Sequence, residues 1–219
     1  MPHTQQIYVS HSPTSAREII DILLAYFVLT CAFAFIFSGG VLSRQSVHQS
    51  LLNSFLTILP IAALAVALSF ILHELMHKFV AQHYGAWAEF RTWPAGLMIT
   101  IISSMLGFLI GLPGATYIAS NHFTKRENGI VSLAGPATNL VVFFIFAALN
   151  LAFSSSSATY LSLAIGVVMF ISLWLGFFNM LPIFPLDGSK VLAWDWRIYL
   201  GVMIPTIVLL AGLFLGAPL

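Results

Sequence analysis

The sequence predicts a mainly α, polytopic membrane protein. It has five transmembrane helices plus a re-entrant region with short β character, or six spans if residues 96–112 cross. Three observations carry this reading. Of 219 residues, 59% are hydrophobic and only 7% charged, against about 25% charged in a soluble domain; mean hydropathy is +0.97. Apolar runs of about 20 residues recur, the length that crosses a hydrocarbon core of about 30 Å at 1.5 Å per residue. The third is the placement of Lys and Arg, taken up below. One domain over residues 1–219 is expected. A net charge of +1 with no basic block gives no sign of a nucleic-acid partner. The single cysteine, Cys31, excludes an intrachain disulfide and a cysteine-based metal site.

Taken in order, the polar residues 1–15 carry too little charge for a signal n-region, and the run after Arg17 is long enough to anchor. Residues 18–38 form the first span. Gly39, Gly40 and the polar residues 43–50 make a turn. Residues 53–80 form the second span, with Pro60 early in it as a possible kink. Residues 88–93 (AEFRTW) alternate like a strand and stop at Pro94. Residues 96–112 are apolar but short and interrupted by Ser103, Ser104, Gly107 and Gly111. Residues 115–118 look extended, and residues 121–128 are polar. Residues 129–153 and 158–181 span again. Residues 182–197 read as an irregular, Pro-rich segment, and residues 198–216 as the last span.

Charge decides whether residues 96–112 cross. If they cross, one side holds Arg17, Lys78 and Arg91, and the other Arg44, Lys125, Arg126, Lys190 and Arg197, which accounts for all eight Lys and Arg. If they dip and return, Arg44 alone faces the other seven. The positive-inside rule prefers the second split. Five spans therefore follow, with a cytoplasmic N-terminus and an external C-terminus. Irregular backbone at membrane depth is tolerated where protein covers it or where it lines a wet cavity, so the re-entrant segment implies such a cavity.

The chemistry centres on residues 73–77, HELMH. Residues i and i+4 share a helix face, so His73 and His77 can reach one zinc ion. Glu74 can sit beside the metal's open position and take a proton from water there. Ionisable groups inside membrane helices are costly and functional by default. A catalytic zinc usually takes three protein ligands. His83 would face about 120° away from His77 on a continuing helix. Asp187 is the better candidate, in a segment whose Pro182 and Pro185 end the helix and whose Gly188 permits a tight turn. Five spans put Asp187 on the same side as the end of the second span; six would separate them by about 30 Å. Asn179 lies in a buried run and needs a partner. It serves either as an oxyanion or substrate-backbone donor or as an interhelical contact. Gly135, Pro136 and Asn139 read mainly as tight packing plus one polar contact, and Asn139 is also a candidate to touch substrate.

HELMH at 73–77, SLAGPATN at 132–139 and NMLPIFPLDG at 179–188 together resemble the site-2 protease family of intramembrane zinc metalloproteases, over about residues 70–190. The resemblance implies that His73, His77 and Asp187 bind one catalytic Zn2+, that Glu74 activates water, and that Asn179 steadies substrate or oxyanion. The catalytic core is expected over about residues 53–190; the chain departs from many members of that family in that no PDZ or CBS domain fits in it. The resemblance also implies a β-structured region over residues 86–118, whose edge strand binds substrate by strand addition. Residues 113–118 are the candidate strand, with Pro113, Gly114, Ala115, Thr116 and Tyr117 as substrate contacts. The expected substrate is a membrane protein with a single transmembrane helix, cut in the cell membrane near the cytoplasmic side. A zinc transporter using the same residues as a transit site is the alternative, although the outer half shows no chain of ligands. A non-catalytic binder of membrane helices is a further rival.

Overall fold

The computed structural model describes residues 14–39, 51–120, 123–153 and 159–215. The expected turn around Arg44 and the loop at 154–157 lie outside these residues. Helix α1 is Ala16–Phe37, and α2 is Leu51–Val66. A π-helical turn, Ala67–Ile71, joins α2 to α3, Leu72–His83. Strand β1 (Trp87–Thr92), helix α4 (Pro94–Met105) and strand β2 (Gly114–Ala119) follow. Helices α5 (Lys125–Phe153), α6 (Thr159–Asn179), α7 (Asp187–Trp194) and α8 (Trp196–Leu215) complete the chain. Among the described residues, five helices are long and apolar enough to cross a membrane, with α2, the π turn and α3 counting as one.

Side-chain capping opens three of the helices, α1, α5 and α8. The Ser15 hydroxyl accepts from the Glu18 N–H at 3.1 Å, opening α1. Thr124 and Glu127 form a reciprocal capping box: the Thr124 N–H donates to Glu127 Oε2 (2.8 Å) and the Glu127 N–H to Thr124 Oγ1 (3.2 Å). That box starts α5 at Lys125, four residues before the expected start of the span at 129. Asp195 Oδ1 accepts from the Arg197 N–H at 2.8 Å and opens α8.

The core sits where α1, α2 and α6 meet, around Leu29, Phe33, Ala62, Val66, Val168 and Ile171. Large apolar side chains such as Phe27, Leu52, Val141 and Val208 remain exposed on the outside, as lipid-facing positions must be. Helix α5 lies against α6, α7 and α3.

Residues 96–112 do not cross. Helix α4 has 12 residues, about 18 Å of rise against a core of about 30 Å. The chain then turns back, and its backbone polar groups are met by buried hydroxyls. The Ile110 N–H donates to Ser103 Oγ (3.0 Å), the Leu112 N–H donates to Thr100 Oγ1 (3.2 Å), and Trp174 Nε1 donates to the Leu109 carbonyl (3.3 Å). These bonds let a non-helical segment sit at depth. Of the two serines that interrupt the apolar run in sequence, Ser103 is thus among the groups that satisfy the returning chain, while the Ser104 hydroxyl donates to the Ile101 carbonyl of its own helix. The strands form a two-stranded antiparallel sheet with Phe90 opposite Thr116.

Two expectations need correction. The segment 182–197 is not irregular throughout, because Asp187 begins helix α7. Nor does Gly188 serve a turn. A Cβ at 188 would lie 2.1 Å from the Met180 carbonyl oxygen, so glycine is required for close backbone approach, not for an unusual φ.

Candidate active site

His73 and His77 lie on one face of α3, one turn apart. Their Nε2 atoms are 3.0 Å from each other. Asp187 Oδ2 lies 3.4 Å from His73 Nε2 and 3.0 Å from His77 Nε2. The carboxylate sits in the first turn of α7, where a helix N-terminus favours negative charge. The Val131 carbonyl on α5 lies 2.7 Å from His77 Nδ1. A ring N–H donated there leaves the lone pair of Nε2 facing Asp187 and His73. His73 Nδ1 is buried without a partner among the described residues.

The donor set fits zinc. These three groups offer ligand atoms that all lie within 4.8 Å of one another. Zinc–ligand bonds of about 2.0–2.1 Å in tetrahedral geometry put ligand atoms roughly 3.3 Å apart, and the observed separations bracket that value. Two lone pairs and a carboxylate converging in a buried space repel each other unless a cation lies between them. Where no cation lies between them, a proton relieves the repulsion instead: burial alone would push the Asp187 carboxyl up, but a protonated His77 imidazolium beside it, helped by His73, outweighs this and holds it below the usual carboxylate range. Lys190 Nζ approaches the other oxygen, Asp187 Oδ1, at 3.8 Å.

Gly135 on α5 closes one wall. A Cβ there would lie 2.4 Å from His77 Nε2 and 2.5 Å from His73 Nε2. The space it would fill is where the two ring nitrogens meet.

A cavity of about 700 Å³ opens beside this group. It is lined by His73, Glu74, His77, Asn179, Asp187 and Lys190, and by Pro113, Gly114, Ala115, Thr116, Tyr117 and Ile118 of the expected strand. Glu74 Oε2 accepts from the Thr116 hydroxyl at 2.8 Å. Asn179 Nδ2 donates to the Leu175 carbonyl of its own helix at 3.0 Å. Its second amide hydrogen and its oxygen remain for other partners.

Asn139 does not line this cavity. It is fully buried. With its amide turned to suit its neighbours, it donates to the Ser69 carbonyl (2.8 Å) and accepts from the Gly176 N–H (3.0 Å). Ser69 belongs to the π turn, so Asn139 supports the segment leading into α3 and stands behind the site. His83 is exposed at the end of α3, outside the converging group.

Sequence reasoning passed over Glu18. Its carboxylate is 1% exposed; Oε2 pairs with Lys78 Nζ at 2.5 Å, and Oε1 accepts from the Phe90 N–H at 3.2 Å. An acidic residue at the start of a span, with a lysine beside the second histidine, was the available signal.

A multi-pass membrane protein that brings a His-Glu-x-x-His helix and a distant aspartate to one zinc-compatible centre has the construction of a zinc metalloprotease. Its relatives agree. A protein of Methanocaldococcus jannaschii named a "putative zinc metalloprotease" is 42% identical over 195 residues, 88% of this chain and 92% of the relative. Proteins carrying the same description come from Mycolicibacterium smegmatis (36% identity, 57% of this chain, 53% of the relative) and Bacillus subtilis (28%, 63% and 69%). No protein-family profile and no solved structure matches. The chain belongs to the site-2 protease family of zinc metalloproteases.

Proposed function

We propose that this protein hydrolyses peptide bonds in or near the transmembrane helix of a single-span membrane protein. His73, His77 and Asp187 hold the zinc and Glu74 is the general base. The observation that carries this reading is the meeting of both imidazoles and the distant carboxylate within 3.0–3.4 Å, beside Glu74.

A helix hides its amides in its own hydrogen bonds, so the substrate segment must unwind locally. Pairing with the free edge of β2 offsets the bonds lost. Zinc at this centre supplies Lewis acidity, making water a nucleophile at neutral pH and polarising the scissile carbonyl. Glu74 takes the proton from the attacking water and passes it to the leaving amine. Asn179, with a free amide hydrogen, donates to the oxygen that gains charge. The cavity faces the cytoplasmic side of the cell membrane, by the lysine and arginine distribution. Cleavage of this kind is the membrane-embedded step of regulated intramembrane proteolysis.

The test is expression beside a panel of single-span proteins. Wild type is expected to release shortened fragments. Glu74→Gln should lose about 10²–10⁴-fold in rate while keeping its zinc. Asp187→Ala should lose both zinc and cleavage. Active Asp187→Ala protein with stoichiometric zinc removes the ligand assignment, and zinc uptake into liposomes by Glu74→Gln protein that never cleaves favours transport.

A further inference from the structure

Thr116 occupies a position that belongs to two parts of the site at once. Phe90 faces Thr116 across the sheet. The Phe90 N–H donates away from β2 to Glu18, and its carbonyl accepts from Arg91 Nη1 at 3.0 Å. In an antiparallel ladder, a residue whose main chain turns away faces a residue that does the same. The Trp93 N–H donating to the Pro113 carbonyl at 3.0 Å sets the same parity three residues on. So Thr116, with Gly114 and Ile118, directs its N–H and carbonyl to the outer edge of β2. The sheet has two strands, so that edge has no strand partner among the described residues.

The side chain points elsewhere. Thr116 Oγ1 lies 2.8 Å from Glu74 Oε2 and 3.5 Å from the Glu74 carbonyl oxygen. The shorter bond fixes one carboxylate oxygen and leaves Oε1 for water. We infer that Thr116 is a positioning residue that links occupation of the β2 edge to the aim of Glu74. A strand added to that edge grips the Thr116 main chain at both N–H and carbonyl. That grip restrains the hydroxyl, and the hydroxyl holds the carboxylate. In the absence of a partner strand the edge is free to shift, and the base with it. The inference rests on the proteolytic reading of the site and adds to it a reason for the base to be aligned when substrate is present.

The experiment uses purified full-length protein in micelles, loaded with zinc. The probe is a quenched fluorogenic peptide with one leucine-rich span interrupted by Gly-Ser. Thr116→Val keeps shape and strand preference but removes the donor. It is expected to lower kcat about 10–100-fold, as small misplacements of a reacting group do, with KM within about threefold and zinc content unchanged. Thr116→Ser is expected to recover kcat to within about threefold of wild type. Adding Thr116→Val to Glu74→Gln should cost no further rate, because the two act as a unit. A readout independent of turnover comes from zinc-free protein: the carboxylate stretch isolated by subtracting Glu74→Gln spectra should move on Thr116→Val. An unchanged kcat, a loss carried wholly by KM, failed recovery by serine or an unmoved band each overturns the inference while the gap between wild type and Glu74→Gln stands. Equal cleavage by wild type and Glu74→Gln, including none by either, overturns the proteolytic reading itself.

Discussion

Residue 135 has room for a hydrogen atom and nothing larger. A Cβ would stand within 2.6 Å of Nε2 of both histidines and of His73 Cδ2. These rings cannot easily swing aside, because Val131 holds His77 and Asp187 contacts both. Alanine is the better helix former by about 1 kcal/mol, but its Cβ would overlap both held rings, an overpacking that costs about 1–3 kcal/mol. The same Cβ fills the space where the two ring nitrogens meet. The expected result of Gly135→Ala is at least a tenfold weaker hold on zinc in competition with a chelator, together with a lower zinc-free thermal unfolding temperature. Stoichiometric zinc at wild-type affinity in Gly135→Ala would show that the two rings yield. Sequence reading saw Gly135-Pro136 as tight packing, and that is what it is. What it could not see is that the packed surface is the candidate metal centre, because nothing in a linear motif says which atoms will face a glycine. The histidine pair was legible because helix periodicity alone places i and i+4 together. Asp187 was legible only as a candidate, since its distance to His73 depends on five intervening elements.

At the scale of elements, the histidine-bearing helix α3 and the sheet are tied to α1 by one buried carboxylate. Glu18 holds Lys78, next to His77, and the Phe90 N–H of β1. Asp21, nearly one turn on, accepts from Thr92 Oγ1 at 2.8 Å. Thus α1 fixes where β1 lies relative to α3, and β2 follows β1 through the ladder. Removing one partner of a buried pair leaves the other uncompensated, typically at about 3–5 kcal/mol, whereas removing both is far milder. Glu18→Gln and Lys78→Met are each expected to lower unfolding stability in micelles by about that amount. The double variant should be more stable than either alone. Additive losses in the double variant would mean that the two charges do not depend on each other. The long spans were readable from apolar length, because lipid demands it. The π turn and α7 were not: one is a single-turn insertion within a continuous helix, and the other has 8 residues behind prolines that signal an ending. The capping box at Thr124–Glu127 was in the sequence in plain form, and the polar composition around it concealed the helix start.

For the whole molecule, one fact about α4 governs which surfaces share a compartment. A sixth crossing would put the start of α5 opposite the end of α3. Because α4 is too short and its return is hydrogen-bonded at depth, both ends fall on one side, and α6 then delivers Asp187 back to that side. The charge split of seven against one reached the same arrangement from Lys and Arg alone, a constraint independent of the metal site. It follows that three exposed positions, His83 after the histidine pair, Arg126 opening α5 and Leu215 ending α8, report the topology. In a Cys31→Ala background, His83→Cys and Arg126→Cys are expected to react with a membrane-impermeant maleimide from the cytoplasmic face. Leu215→Cys is expected to react from the opposite face only. Labelling of the first two from different faces would place a full crossing between them. That result would leave Asp187 and the histidines about 30 Å apart, a separation at which one ion cannot join them.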